Sequence, residues 1–451
     1  MPHNHTLSVV EKVGYGLGDT ATNLVWRTLM VFLPFFYTDV FGLTAAAVGT
    51  LLLVCRLMDG LTDFLMGVVA DRTNTRWGKF RPWVLWMALP FGVLTVLTFT
   101  TFDLGPTAKL VYAYVTYSAL VLVFTASNVP YSALTGVLSP DPIERTSVSS
   151  YRFFFAFLGG VIVQGFSISL VEFFGRGDEV VGYQYTMTVF AALAVVLFVI
   201  TFLTTTERVQ PPALQTTSLR RDFADLFTNR AWLILSVVGI LFVTFTTLKQ
   251  GVTMYYFRYF VGDVSLAASF MVIGTVGAML TAAATKRMAV RVGRRRLFTY
   301  SFSVGLVSSA LLYVVGPEDI VMIFILGILA EACTGPVVAL YFAMLGDAAD
   351  YGEWKNGRRA TGLVYSAGTV AIKFGTGVAG ALTGWVLNIF GYQANVAQSA
   401  EALSGITLLM SVFPAVAALA AIIVFRFYVL DEEFLRRIEH DLIERKGGAT
   451  A

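Results

Sequence analysis

Asp71-Arg72-Thr73-Asn74-Thr75-Arg76-Trp77-Gly78-Lys79-Phe80-Arg81 lies without a gap on Lys286-Arg287-Met288-Ala289-Val290-Arg291-Val292-Gly293-Arg294-Arg295-Arg296. Arg72, Arg76, Gly78 and Arg81 fall on Arg287, Arg291, Gly293 and Arg296, and Lys79 meets Arg294. Each of these polar stretches follows the second long apolar run of its half of the chain. A repeat in equivalent surroundings is the trace of two parallel halves related by an axis along a membrane normal.

Outward from these loops, runs of about 18–25 apolar residues recur, long enough as helix to cross ~30 Å of hydrocarbon. Twelve are read: Gly14–Phe36, Ala45–Ala70, Val84–Phe102, Leu110–Val137, Phe153–Val171, Tyr185–Thr206, Trp232–Phe260, Ala267–Thr285, Leu297–Val315, Ile320–Gly346, Thr361–Phe390 and Ser404–Tyr428. Gly105-Pro106, Gly175-Arg176-Gly177, Pro211-Pro212 and Gly316-Pro317 separate them. Alternate loops carry the basic residues: Arg72 to Arg81, Arg145, Arg208 with Arg220 and Arg221, Lys286 to Arg296, and Lys355 with Arg358 and Arg359. The other loops are nearly bare of them. Positive charge stays on the cytoplasmic side, so both termini are expected there. The expected organisation is an all-α integral membrane protein: a six-helix bundle over 1–206, a cytoplasmic linker 207–231, a second six-helix bundle 232–430 and a cytoplasmic tail 431–451. Within the linker, Leu219–Phe227 mixes charged and apolar residues and suits the membrane interface.

Composition agrees. Of 451 residues 56% are hydrophobic and 14% charged, against about 45–50% and 25% in average globular chains. A water-soluble enzyme, a disordered chain and a disulfide scaffold are excluded. A net charge of +3 gives no reason to expect nucleic acid. The N-terminus has no basic segment followed by a short apolar core and cleavage site, so the first apolar run is expected to remain as a span. Cys55 and Cys333 both sit inside apolar runs. No HExxH, GxSxG or P-loop motif occurs, so no enzyme is expected.

Seven stretches, in order over nearly the whole chain, narrow the reading. They are Tyr15-Gly16-Leu17-Gly18-Asp19, Phe36-Tyr37-Thr38-Asp39-Val40-Phe41-Gly42, Arg56-Leu57-Met58-Asp59-Gly60-Leu61-Thr62-Asp63, Arg76-Trp77-Gly78-Lys79-Phe80-Arg81-Pro82, Asn128-Val129-Pro130-Tyr131, Tyr151-Arg152-Phe153-Phe154 and Asp347-Ala348-Ala349-Asp350-Tyr351-Gly352-Glu353. Together they resemble the glycoside–pentoside–hexuronide:cation symporters of the major facilitator superfamily, the standard example of parallel repeats. The resemblance implies two halves rocking around a central site. It also implies a cytoplasmic-membrane carrier that takes up a sugar with H+ or Na+, needs no cofactor and works as a monomer among lipids.

The residues themselves supply the chemistry. Arg56, Asp59 and Asp63 stand at i, i+3 and i+7 of the second span, on one helical face. A charge at mid-membrane costs at least ~2.5–3.5 kcal/mol, so three on one face need partners and water. Two carboxylates about 6 Å apart can hold one Na+ or share one proton. The same charges can also pin helices as an ion-pair network with Arg56 and Lys373. His3, His5 and His440 are all terminal, so a carried proton must ride on a carboxylate. The resemblance implies a cation site of Asp59, Thr62, Asp63 and Thr125, with Thr62 where sodium-using relatives have Asn.

Sugar binding needs hydrogen-bonding groups for hydroxyls and flat apolar faces for C–H patches. The first span offers Asp19, Asn23, Trp26 and Arg27, the fourth Tyr117, Thr125 and Asn128, and the fifth begins at Arg152. Trp26 is equally the kind of aromatic that packs between helices, and Asn128 the kind that bonds another helix. Lys373, with Thr369 one turn earlier, lies inside the eleventh span, and the resemblance implies that it communicates with both sugar and cation. The melibiose-carrier branch has acids where this chain has Asn23 and Asn128, and Trp where it has Ser132. The amides match the glucuronide and xyloside branches. Losing two acids removes repulsion toward an anionic sugar, leaving Arg27, Arg152 and Lys373 to pair with a uronate. At the cytoplasmic face, Asp71, Arg72, Arg76 and Lys79 can pair with Asp347, Asp350 and Glu353 as a gate. A lysolipid carrier of the same fold and a sugar sensor without flux are the rival readings.

Overall fold

The computed structural model describes residues 6–139, 141–209, 226–357 and 361–448. The described residues are helical apart from short connections and one isolated bridge, Thr75 to Gly78. The helices are α1 Val9–Val31, α2 Leu33–Phe35, α3 Ala45–Arg72, α4 Arg81–Thr98, α5 Pro106–Leu138, α6 Pro142–Gly175 and α7 Glu179–Thr204. They continue as α8 Arg230–Tyr255, α9 Ser265–Val292, α10 Arg294–Leu312, α11 Ile320–Ala332, α12 Thr334–Asn356, α13 Thr361–Ile389, α14 Ala400–Met410, α15 Val412–Phe425 and α16 Glu432–Gly448. α2 runs on into a π-helical turn, Phe36–Val40, and α8 into another, Tyr256–Val261.

Three spans are broken by a single residue: Phe32, Cys333 and Ser411. Each break is followed two or three residues later by a proline, Pro34, Pro336 and Pro414. Proline removes the N–H that would bond the carbonyl four residues back, and its ring crowds that carbonyl. Joining the pieces across breaks and π-turns leaves twelve stretches among the described residues, one for each apolar run, followed by the 17-residue polar helix α16. The two loops that matched in sequence also match in structure. Gly78 has φ +110° and Gly293 φ +87°, a region that side chains with a Cβ avoid.

Nine of the twelve stretches are apolar enough by composition to cross a membrane unaided. The other three are α1, α3 and α10. α1 and α3 carry the charges discussed above, and α10 opens on Arg294-Arg295-Arg296. Of the linker, residues 210–225 lie outside the described residues, so most of the interfacial segment 219–227 does too, as do Arg358 and Arg359.

The chain forms two compact units. One comprises residues 1–213, 250–275 and 380–405, the other 214–249, 276–379 and 406–451. In the first unit, α3 and α13 approach closely. A Cβ on Gly384 would stand 2.3 Å from the Ala45 carbonyl oxygen and 2.6 Å from the Gly49 nitrogen. Small residues at this crossing let the two backbones meet.

Candidate functional site

α3 has two faces. Leu57, Leu61 and Leu65 are exposed at 46%, 72% and 61%, whereas Arg56 and Asp59 are 2% and 0% exposed. The acid is therefore inside the first unit. Arg56 Nη1 lies 3.4 Å from Asp59 Oδ2. The Thr125 hydroxyl of α5 donates to Asp59 Oδ1 at 2.7 Å. The guanidinium is itself held. It donates to the Tyr117 hydroxyl at 3.2 Å and sits 3.9 Å above the Trp26 ring, which stacks on Phe124 at 4.2 Å. Stacking and cation–π attraction let a guanidinium stay charged where water is scarce. Asp59, Thr125, Tyr117 and Trp26 thus form one cluster around Arg56. Asp63, one turn on, is half-buried. The Thr62 hydroxyl donates to the Asp59 backbone carbonyl at 3.1 Å rather than to a carboxylate.

A second cluster joins α1, α5 and α6. Arg152 Nε donates to Asp19 Oδ2 at 2.7 Å and its Nη2 to the Ser132 hydroxyl at 3.2 Å. Tyr15 and Tyr131 stack at 4.6 Å, each hydroxyl donating to the other's backbone carbonyl. Asn23 donates to the Asp19 carbonyl at 2.9 Å. Gly159 and Gly160 of α6 lie against Asn23 and Arg27, where added Cβ atoms would come within 3.0 and 3.4 Å. Asn128 is half-buried. In the second unit, Thr369 is exposed, its hydroxyl bonded to the Tyr365 carbonyl at 3.0 Å, and Lys373 is half-buried.

Among the expected gate residues, Asp71, Arg72 and Arg76 are exposed. Asp347 pairs with Arg294 at 3.0 Å inside its own unit, and Asp350 and Glu353 are half-buried.

Four acidic groups and a lysine join the site residues beyond those named from sequence. Glu207 accepts the backbone N–H groups of Lys79, Phe80 and Arg81 at 2.9, 2.7 and 2.9 Å, so a carboxylate caps the start of α4. Glu11 takes Arg208 through both oxygens at 2.6 and 2.9 Å. These two hydrogen bonds raise the Arg208 guanidinium above its ordinary pKa.

At the opposite end of the first unit, Asp39 accepts from the Tyr259 hydroxyl and, at 2.6 Å each, from those of Tyr392 and Thr38. Asn395 donates to the Asp39 carbonyl at 2.6 Å, and Arg258 binds Glu179 at 2.6 Å. Burial first, then the neighbouring Tyr255 phenol and Asp39 carboxylate, push the Tyr392 phenol above its ordinary pKa, so it stays a donor. Asp39 falls where the apolar run ends and a loop begins, and an acid there gives no signal of partners this distant in sequence. Lys249 and Glu331 stand in apolar runs and carry the same signal that marks Lys373.

The profile of the family described as MFS/sugar transport protein matches residues 14–432, and the chain belongs to that family. It is 38% identical to YagG of Escherichia coli (strain K12), provisionally named a glycoside/cation symporter, over 98% of this chain and 96% of YagG. It is 36% identical to an isoprimeverose transporter of Lactiplantibacillus pentosus, over 95% and 90% of the two chains. A glucuronide carrier protein homolog of Escherichia coli (strain K12) is 30% identical over 98% and 97%. The nucleoside transporter NupG aligns with a TM-score of 0.63 at 16% identity, covering 92% of this chain and 99% of that one, which shows the shared fold. The protein is an integral membrane protein of the major facilitator fold.

Proposed function

We propose that the protein is a cation-coupled symporter that imports a glycoside by alternating access, with both termini on the cytoplasmic side of the inner membrane. The observation that carries this reading is the buried Asp59 carboxylate. It is held by the Thr125 hydroxyl and shares Arg56 with Tyr117 and Trp26. A carboxyl group buried inside an apolar helix bundle marks an ion path. Asp59, Asp63 and Thr125 supply oxygens for one H+ or Na+, while Thr62 is turned to its own backbone and contributes less.

The sugar is assigned to Asp19, Asn23, Trp26, Arg27, Tyr117, Asn128 and Arg152, with Thr369 and Lys373 carried over by the resemblance. Asp19 already neutralises Arg152, so a uronate would gain most from Arg27 and Lys373. A uronide- or xylose-type glycoside fits the amides at 23 and 128, and relatives are named for isoprimeverose and for glucuronides. The moving parts are the halves 1–206 and 232–430. The Asp39 cluster, with the Gly49–Gly384 crossing, is a gate in its closed form. Asp71, Arg72 and Arg76, with Asp347, Asp350 and Glu353, form the cytoplasmic gate. One cation moved through 100 mV supplies ~2.3 kcal/mol, or roughly 50-fold accumulation. No covalent step is needed.

Counterflow with a panel of labelled sugars, repeated with and without Na+ at fixed pH, tests the reading. Uronides or xylosides are expected to exchange fastest. Preference for neutral galactosides, with uronides and xylosides ignored, rejects the substrate class.

A further inference from the structure

Five acidic side chains among the described residues are less than a tenth exposed: Glu11, Asp19, Asp39, Asp59 and Glu144. Four of them touch a cation. Glu11 meets Arg208 at 2.6 Å, Asp19 meets Arg152 at 2.7 Å, Asp59 meets Arg56 at 3.4 Å and Glu144 meets Lys12 at 2.9 Å. Asp39 has no such partner among the described residues. Its carboxylate meets neutral hydroxyls instead, that of Tyr259 at Oδ1 and those of Tyr392 and Thr38 at Oδ2.

The cations around it are engaged elsewhere. Arg258, on the π-turn after α8, holds Glu179 of α7 at 2.6 Å and the Asn395 side-chain oxygen at 3.1 Å. Lys109 of α5 donates to the Phe41 carbonyl at 3.0 Å. Residues 45–54, at the start of α3, carry no titratable group. The other titratable groups packed here are phenols: Tyr37 on the turn itself, Tyr112 on α5, Tyr183 on α7 and Tyr255 on α8. Free phenols keep their protons to about pH 10. Burial without a counter-charge disfavours the ionised form of a carboxyl group.

The surroundings also have room for the extra proton. The Thr38 hydroxyl lies 3.1 Å from the Phe35 carbonyl and 3.2 Å from that of Pro34, and 2.9 Å from the Tyr255 hydroxyl. Turned to a carbonyl, it frees a lone pair for a proton on Asp39 Oδ2, while Tyr259 and Tyr392 go on donating. A cation partner, having no lone pair, would forbid that reversal.

We propose that Asp39 is a proton-binding site at the outer gate, filled as the gate closes and emptied to the same side as it opens. The proposal deepens the gate reading and rests on it. A proton from outside water adds to the carboxylate, and the neutral acid is sealed between the π-turns and Tyr392. On opening, the acid meets water and returns to its ordinary affinity, so the proton leaves. The closed form binds H+ more tightly, and acid outside therefore favours closure. Between the two affinities, one linked proton changes the open-to-closed ratio by up to tenfold per pH unit. This proton is not carried across, so it acts whichever cation drives uptake at Asp59 and Asp63.

The test uses the full chain in proteoliposomes. Difference infrared spectroscopy across a pH titration should show a protonated-carboxyl band that Asp39→Asn removes. If that variant does not fold, Tyr392→Phe, which deletes a donor to the carboxylate, should hold the band to higher pH. No band that depends on these residues overturns the proton site. Spin labels on the exposed positions Leu104 and Val314, with Cys55 and Cys333 replaced by alanine, report the gate. The wide separation should gain population as pH rises, and Asp39→Asn, a neutral mimic, should abolish that dependence. A wide population that instead grows in acid overturns the proposed linkage. Asn395→Gly deletes the bond to the Asp39 backbone carbonyl without touching the carboxylate, and so isolates the gate. A separation indifferent to pH that widens in Asn395→Gly keeps the gate and overturns the proton's control of it. A separation that neither pH nor Asn395→Gly alters overturns the gate itself, and the infrared band still decides Asp39.

Discussion

The two halves of the chain arrange their buried charges differently. In the first, the charged helix α3 is continuous, and its acid is held by Arg56 and Thr125, Arg56 being held in turn by Tyr117 and Trp26. In the second, the acid Glu331 stands on a helix that stops one residue later, where the Thr281 hydroxyl donates to the Ala332 carbonyl that Pro336 leaves without an N–H. Low dielectric makes each lone charge costly, and there are two ways to meet that cost. A rigid clamp fixes one charge state and one geometry. A broken helix instead leaves a backbone acceptor for a neighbouring side chain to fill, here Thr281.

The difference can be attacked in order of effect. Replacing Asp59 with Asn strands Arg56 and should destabilise the protein by about 3–5 kcal/mol. Combining it with Arg56→Gln should recover folding, as read by thermal unfolding in detergent, but not gradient-driven uptake. Asp63→Asn should keep the fold and lose cation-driven accumulation in vesicles; retained, cation-stimulated accumulation would remove Asp63 from the cation site.

Next comes Thr125→Ala, which deletes a hydrogen bond to a carboxylate worth about 1.5–3 kcal/mol. Cation activation of uptake should weaken roughly 10- to 100-fold, with Thr125→Ser restoring it. Thr281→Val, at the break, loses a neutral hydrogen bond worth about 1 kcal/mol. It should slow sugar exchange several-fold and leave cation affinity alone. An equal effect on cation affinity would erase the distinction between the halves.

The smallest effect concerns the paired loops. Glu207 accepts three N–H groups at the start of α4, whereas Glu432 accepts one from Arg294 at 3.4 Å at the start of α10. Glu207→Gln should therefore cost about 1 kcal/mol in thermal stability, and Glu432→Gln much less. Equal losses would mean that the two caps are equivalent despite their geometry.

Much of this was legible in the chain. The spacing of Arg56, Asp59 and Asp63 put them on one face because 3.6 residues make a turn, and that face is indeed turned inward at Arg56 and Asp59. Gly78 and Gly293 aligned by sequence, and both adopt the left-handed side of φ. Asn23 and Thr62 were less legible. Each side chain bonds a carbonyl of its own helix, a local choice that residue type permits but does not dictate.

The sequence by itself determined the number of spans, the repeat and the need for partners, since hydrocarbon penalises every polar group according to local composition and length. Only the tertiary structure decided which partner each charge meets. Asp59 and Thr125 are 66 residues apart, Asp19 and Arg152 are 133, and Asp39 and Tyr392 are 353. Pairing over such separations depends on which helices lie side by side, and helix neighbours are set by packing that no local pattern encodes.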